Sequence, residues 1–254
     1  MSERWTYNAD HRKRPHVHPV ATPSGKVLTR DAPPDHPWHH ALWFAIKFVN
    51  GDNFWEEVSP YGVVRHVEPS VLHWIRPDRE TVAIVEQRSI REVDLGVEDA
   101  YALEWAIELA PQSDVVLDTT PFTTWGGYGG LSVRGRSDWS DTRLLVADGS
   151  SHDRVLGVPS AWCDLSGDVD GSSAGILLLD HPDNPRHPVP WYGSSKAPTY
   201  GEEGWSNFLN AAFLWNGPLE LRTGQVLPFR FRVVVHDGIW SSDRCAAEWN
   251  RWTS

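Results

Sequence analysis

The stretch Tyr101-Ala-Leu-Glu-Trp-Ala-Ile-Glu-Leu109 alternates without a break. Tyr101, Leu103, Trp105, Ile107 and Leu109 fall on one side, and Glu104 and Glu108 on the other. A period of two is that of a strand with one face buried. A second stretch, from Leu227 to His236, repeats the pattern. Leu227, Phe229, Phe231, Val233 and Val235 point one way, and Arg230, Arg232 and His236 the other. Working outward from these two, further strands are expected at residues 41–49, 62–74, 81–90, 115–119, 143–147 and 175–179. The last is a continuous apolar run, which suits a strand covered on both faces. Gly126-Gly-Tyr-Gly-Gly130 reads as a turn, where glycine permits positive φ. Residues 180–198 carry five prolines and read as a long loop of the kind that often lines a site. Helix is expected only at the C-terminus, with Ser242 or Asp243 as N-cap and Cys245, Trp249 and Trp252 as its buried stripe to about residue 252. Many strands followed by one small helix predict an all-β, antiparallel sandwich rather than a βαβ fold. One domain over residues 1–254 is expected, since sandwiches reach this length undivided.

The chain has 254 residues, with 34 acidic and 23 basic side chains and a net charge of −11. A phosphate backbone repels such a surface, and Arg12-Lys13-Arg14 is too short a basic run to offset it, so nucleic acid is not an expected partner. No run of about eighteen apolar residues exists to span a bilayer. The first nineteen residues lack the apolar stretch of a signal peptide. The two cysteines, Cys163 and Cys245, form no disulfide framework. They fit small buried hydrophobes in a reducing cytoplasm, the expected location. Tryptophan occurs 15 times and histidine 12 times. So many tryptophans serve either as core anchors or as flat platforms for sugars and other rings.

Six histidines fall within the first forty residues: His11, His16, His18, His36, His39 and His40. His16 and His18 share a face in extended structure. His36, His39 and His40 belong to Asp35-His-Pro-Trp-His-His40, a turn just before an apolar strand, where side chains line a pocket readily. Imidazole suits proton transfer near neutral pH, and two or three together divide the work of acid and base. Asp35 is placed to orient one of them. A metal is the weaker reading, because the spacing fits no zinc-helix, Cys-x-x-Cys or EF-hand pattern and no glutamate follows His16-Val-His18 at cupin spacing. No metal and no cofactor are therefore expected.

Arg14-Pro-His-Val-His-Pro19, Thr22-Pro-Ser-Gly25, Asp35-His-Pro-Trp-His-His40 and Leu42-Trp-Phe44 resemble the bacterial family known as "methane oxygenase PmoA". Asn53-Phe-Trp-Glu56, Gly130-Leu-Ser-Val-Arg134, Asp183-Asn184 and Val235-His-Asp-Gly238 extend the resemblance over most of the chain. A membrane monooxygenase subunit needs transmembrane helices, which this sequence lacks. The resemblance instead implies carbohydrate-related chemistry on a sandwich of the galactose-mutarotase type (a supersandwich) or a jelly roll.

Other candidates lie farther along. Arg134 follows the glycine turn and suits a carboxylate or sugar hydroxyl. His236 ends a long strand and is expected to complete the histidine site. Glu56 and Glu86 are carboxylates in apolar surroundings. Asp180, His181, Asp183, Asn184, Trp191 and Tyr192 lie in the long proline-rich segment. No nucleophile elbow, P-loop or dinucleotide fingerprint occurs. The expectation is a cofactor-independent lyase or isomerase acting on a sugar, glycoside or related polyhydroxylated metabolite. His36, His39, His40 and His236 would move protons, and His18, Arg134, Trp38, Trp125 and Tyr192 would bind substrate. The chemistry would be epimerisation, β-elimination, hydration or cyclisation. A metal-dependent lyase or oxygenase and a non-catalytic carbohydrate-binding module are the alternatives. The partner is a small molecule, with a homo-oligomer left open.

Overall fold

The computed structural model describes residues 4–10, 13–119, 129–195 and 207–254. Two large sheets lie against one shared core, and every strand pairing among the described residues is antiparallel. In spatial order, the seven-stranded sheet runs Trp5–Asn8, His16–Val20, Leu42–Ile46, Gly129–Arg134, Phe208–Ala211, Pro190–Ser194 and Arg154–Pro159. The nine-stranded sheet runs Ser151–His152, Ser140–Val146, Trp162–Val169, Ser172–Asp180, Leu227–Asp237, Ala100–Pro111, Val82–Asp94, Val71–Ile75 and Val63–Glu68. A small four-stranded sheet adds Leu219–Leu221, Val115–Asp118, Phe48–Val49 and Asp52–Asn53. The fold is an all-β sandwich with one C-terminal helix.

The alternation of residues 101–109 holds in three dimensions. Tyr101, Leu103, Trp105, Ile107 and Leu109 join Phe229, Phe231, Val233 and Val235 from one sheet and Leu42, Phe44, Leu131 and Val133 from the other in one buried cluster. At about 25 cal/mol per Å² of apolar surface, this interface is the dominant favourable contribution to folding. The far side of the nine-stranded sheet is covered by the helix Ser242–Thr253. There Ala102, Leu177, Leu179 and Val234 pack with Trp240 and Cys245. The N-cap is Ser241, one residue ahead of the expected Ser242 or Asp243, and its hydroxyl accepts a bond from the Arg244 amide at 3.3 Å. Asp243 sits in the first turn instead, where the helix dipole favours it. Cys245 is fully buried, whereas Trp249 and Trp252 are half-buried. Glu248 takes the remaining buried position because Arg232 and Arg251 reach its carboxylate.

Several expected boundaries shift. Residues 41–49 break at Lys47, and residues 62–74 form two strands around a Pro69-Ser70 turn. Residues 180–198 are not one long loop, since Pro190–Ser194 is an internal strand of the seven-stranded sheet. Neighbouring prolines hid it, because proline suppresses the strand signal while still being tolerated at a strand's first position. Cys163 and Cys245 are buried and free. Among the described residues, no helix is long and apolar enough to cross a membrane.

Candidate active site on the outer face of the seven-stranded sheet

Alternation along the seven-stranded sheet separates two faces. Val17, Leu42, Leu131, Val133 and Leu209 face the shared core. Their neighbours His16, Trp43, Ser132, Arg134, Phe208 and Asn210 therefore face the other way. Strand register sets these outward residues in rows. One row runs His16, Trp43, Ser132, Asn210, Tyr192 across five strands, and a second runs Arg134, Phe208, Ser194. An outer face is ordinarily wet, yet all eight of these residues are buried. Ser132 hydroxyl and Asn210 Nδ2 are 2.9 Å apart. Trp43 Nε1, Asn210 Oδ1, Ser194 Oγ and Asp35 Oδ1 have no hydrogen-bond partner among the described residues. Buried polar groups are nearly always satisfied, so a cluster of open donors and acceptors in one place marks a surface shaped for something other than its own fold.

The segment from Asp31 to His40 covers part of this face. It is pinned at its base by an isolated bridge between Asp31 and His40 and by the Ala32 amide donating to the His39 carbonyl at 2.9 Å. Two turns fold it, with the His36 amide on the Pro33 carbonyl and the His39 amide on the His36 carbonyl. Ala32 and Ala41 flank it with φ of 47° and 56°. Left-handed backbone costs a residue with a Cβ about 1–2 kcal/mol, and such strain concentrates where a loop is held for a purpose. His39 drops into the sheet face. It stacks on Phe208 at 4.9 Å and 18°, tilts against Trp43 at 5.2 Å, and meets the edge of Trp55 at 6.0 Å.

Two linked charge groups result. In the first, Asp35 Oδ2 accepts from His36 Nδ1 at 2.8 Å and from Arg134 at 2.7 Å. Burial pushes the Asp35 carboxyl up, but the bonds from Arg134 and His36 outweigh it and hold it below the usual carboxylate range. With Nδ1 donating to Asp35, the His36 Nε2 is left as a basic lone pair. Arg134 also lies 3.3 Å from His39 Nδ1. A guanidinium only donates, so His39 carries its proton on Nε2. Burial first, then the neighbouring His36 and the Arg134 guanidinium, holds His39 well below the usual histidine range and therefore neutral.

In the second group, His40 lies between two carboxylates. Its Nδ1 is 2.7 Å from Asp31 Oδ1, and its Nε2 is 3.1 Å from Glu57 Oε1. Burial lowers the His40 pKa, but Asp31 and Glu57 together raise it above the usual value. His16 stacks on His40 at 5.1 Å, and its Nδ1 lies 2.8 Å from the Arg14 carbonyl. Lys13 reaches the other oxygen of Asp31 at 2.7 Å.

The expected site residues are thus partly gathered. His36, His39, Arg134 and Tyr192 share the outer face. Trp38, half-buried, meets the edge of His36 at 5.5 Å. His40 is beside them, with both its nitrogens engaged by carboxylates. His18 lies at the margin with Nδ1 3.0 Å from Thr29 Oγ1. Trp125 and His11 fall outside the described residues. His236 is elsewhere altogether. It shares a strand face with Val234, beneath the helix, so the shared core and both sheets separate it from His39. Its Nε2 is 2.9 Å from Asp164, its Nδ1 3.1 Å from the Gly238 carbonyl, and its ring stacks on Trp240 at 4.7 Å. Gly175 is required below it, since a Cβ there would lie 2.5 Å from the imidazole.

The remaining candidates serve the fold. Glu86 is buried against Arg88 at 2.6 Å and Trp74 Nε1 at 2.7 Å. Glu56 pairs with Lys47. Asp180 accepts from Asn184, His187 and the Val189 amide, tying a turn on the helix side of the molecule. Trp191 points into the core and donates to the Ser160 carbonyl. Sequence reasoning missed Asp31, Glu57, Ser132, Ser194, Phe208 and Asn210. For Ser132 and Asn210 the signal is a polar residue at alternate positions in an otherwise apolar segment, as in Leu131-Ser-Val-Arg134 and Leu209-Asn-Ala211, whereas Asp31 and Glu57 carry none.

A β-sandwich with a partly buried Asp–His–Arg cluster on an outer sheet face defines the class of architecture. The chain belongs to the family described as "Family of unknown function (DUF6807)", which it matches over residues 2–250. No curated protein and no solved structure matches it.

Proposed function

We propose that this protein is an enzyme that moves a proton on a small polyhydroxylated substrate, a sugar, a glycoside or a related metabolite. The observation that carries the proposal is the set of open polar atoms on Trp43, Asn210 and Ser194, buried beside the Asp35–His36 pair. Hydroxyl groups are complementary to such donors and acceptors. His36 Nε2 is the base. It takes a proton from the carbon next to a carbonyl, and the electron pair passes to the carbonyl oxygen. The Nε2–H of His39 is the donor available to that oxygen, held in this tautomer by Arg134. Delivery of a solvent proton to the opposite face of that carbon, with the first proton left on His36 and lost to water, gives epimerisation. Re-formation of the carbonyl with expulsion of the β-oxygen substituent, which takes the proton from His36 as it leaves, gives elimination. Arg134 and Asp35 act as positioning residues, since they reach the proton only through the two imidazoles. The resemblance to the PmoA-named family adds weight to carbohydrate chemistry.

The test is solvent exchange. A panel of aldoses, ketoses and keto-glycosides is incubated with the protein in D₂O and followed by proton NMR. Loss of a C–H signal next to a carbonyl is the expected result. Saturable binding by panel members with no exchange and no turnover in any of them contradicts the proposal and leaves a binding module.

A further inference from the structure

We infer that His16, Asp31 and His40 form a binding site for one divalent first-row transition-metal ion. This goes beyond the proton-transfer reading and does not depend on it. Each of the three offers a ligand atom within 4.8 Å of the other two, and no other group of three histidine, cysteine or acidic side chains among the described residues converges in this way; His16 Nε2 and His40 Nδ1 lie 3.7 and 2.7 Å from Asp31 Oδ1. Both rings are buried, at 3% and 1% exposure, so a bound ion would be shielded from competing water.

The far nitrogens argue most strongly. His16 Nδ1 faces the Arg14 carbonyl at 2.8 Å. A carbonyl only accepts, so Nδ1 carries the proton and Nε2 presents a lone pair. That lone pair faces Asp31 Oδ1 at 3.7 Å, two acceptors pointed at each other and too far apart for a hydrogen bond. His40 Nε2 is likewise tied to Glu57 at 3.1 Å, which turns Nδ1 toward Asp31. Ligand histidines characteristically anchor the far ring nitrogen on a backbone carbonyl or a carboxylate, fixing tautomer and ring orientation. Here one ring has each kind of anchor. Lys13 holds the second oxygen of Asp31 and leaves Oδ1 as the single ligand atom. A proton between His40 and Asp31 satisfies two of the three groups, whereas a cation satisfies all three. Two imidazoles and one carboxylate suit zinc, iron, cobalt or nickel, with coordination positions left over for water or substrate. His16 and Trp43 are cross-strand neighbours, which sets the ion beside the row of open polar atoms.

The test uses the whole chain without a histidine tag, stripped with chelator and titrated with Zn²⁺ by calorimetry and with Co²⁺ by visible d–d absorption. One equivalent is expected to bind. His16→Ala and His40→Gln are expected to weaken binding by more than ~100-fold, and Glu57→Ala by about 10–100-fold through loss of the anchor. His152→Ala, at a distant sheet edge, is expected to leave it unchanged. Folded wild-type protein that takes up neither ion stoichiometrically overturns the inference without reference to any variant. So does an affinity that survives both His16→Ala and His40→Gln. Metal binding without solvent exchange on sugars would uphold this site while refuting the proton-transfer reading.

Discussion

His236 and His39 are both buried histidines on outer sheet faces, one on each side of the sandwich. Under the helix, the charged groups around His236 are all paired, and Trp240 Nε1 is the one buried side-chain atom beside it without a partner among the described residues. Asp164 takes its Nε2 side, Ser166 donates to Asp164 at 2.7 Å, and Arg232 spans Glu104 and Glu248. Around His39 the accounting stays open, with Trp43, Ser194, Asn210 and Asp35 each presenting an unanswered atom. A closed network makes an outer face stable and specific. Single open atoms occur elsewhere, as at Trp105, Trp139 and Trp240, but four gathered on one face offer a ligand a set of partners. Residue type and burial are the same in the two places, so what separates them is how many neighbouring polar atoms are left open.

The largest expected effect falls on the closed side. Asp164→Ala leaves His236 buried without its partner and is expected to cost about 3 kcal/mol of stability, read from urea melts, with ligand binding unchanged in the folded fraction. An equal loss of stability for His39→Ala would blur the contrast. On the open side, Arg134→Met removes the guanidinium that aligns Asp35 and His39. It is expected to lower kcat/KM by about 10²-fold through misplacement alone, with the fall in kcat rather than a rise in KM. Asn210→Leu removes an unanswered buried polar atom. It also removes the amide that donates to Ser132 Oγ, so it is expected to cost about 1–3 kcal/mol of stability and to weaken sugar binding in the folded fraction, where Asp164→Ala leaves binding unchanged.

The smallest effect is acid sensitivity. The folded Asp35 carboxyl lies below its unfolded value, so its contribution to stability is fully present above the unfolded pKa near 3.9 and fades as pH falls through the folded one. Asp35→Asn should flatten that acid limb in denaturant midpoints taken from neutral pH downward. A limb unchanged by the substitution would mean that the pair with Arg134 is not formed in solution.

Much of this was legible in the residues. The alternation of residues 101–109 and 227–236 is a direct consequence of a strand with one buried face, and both strands lie at the heart of the nine-stranded sheet. Asp35, His36, His39 and Arg134 stood out by chemistry, and the fold sets them side by side. Sequence put His236 on the polar face of its strand correctly, but could not say which sheet that strand joins, and it lies in the nine-stranded sheet beneath the helix. Nor does anything in the sequence separate Glu56 from its neighbour Glu57, the carboxylate that reaches His40. Ser132, Ser194 and Asn210 were overlooked because a small polar residue in a strand is commonplace until register aligns several of them in one row.

The most direct measurement sets the two faces against each other. With the best substrate from the exchange panel, turnover is compared for His36→Ala and His236→Ala, each confirmed as folded by circular dichroism. The account predicts that His36→Ala loses about 10²–10⁴-fold in kcat while folded His236→Ala stays near wild type. The reverse pattern, or two variants equally active, would contradict it.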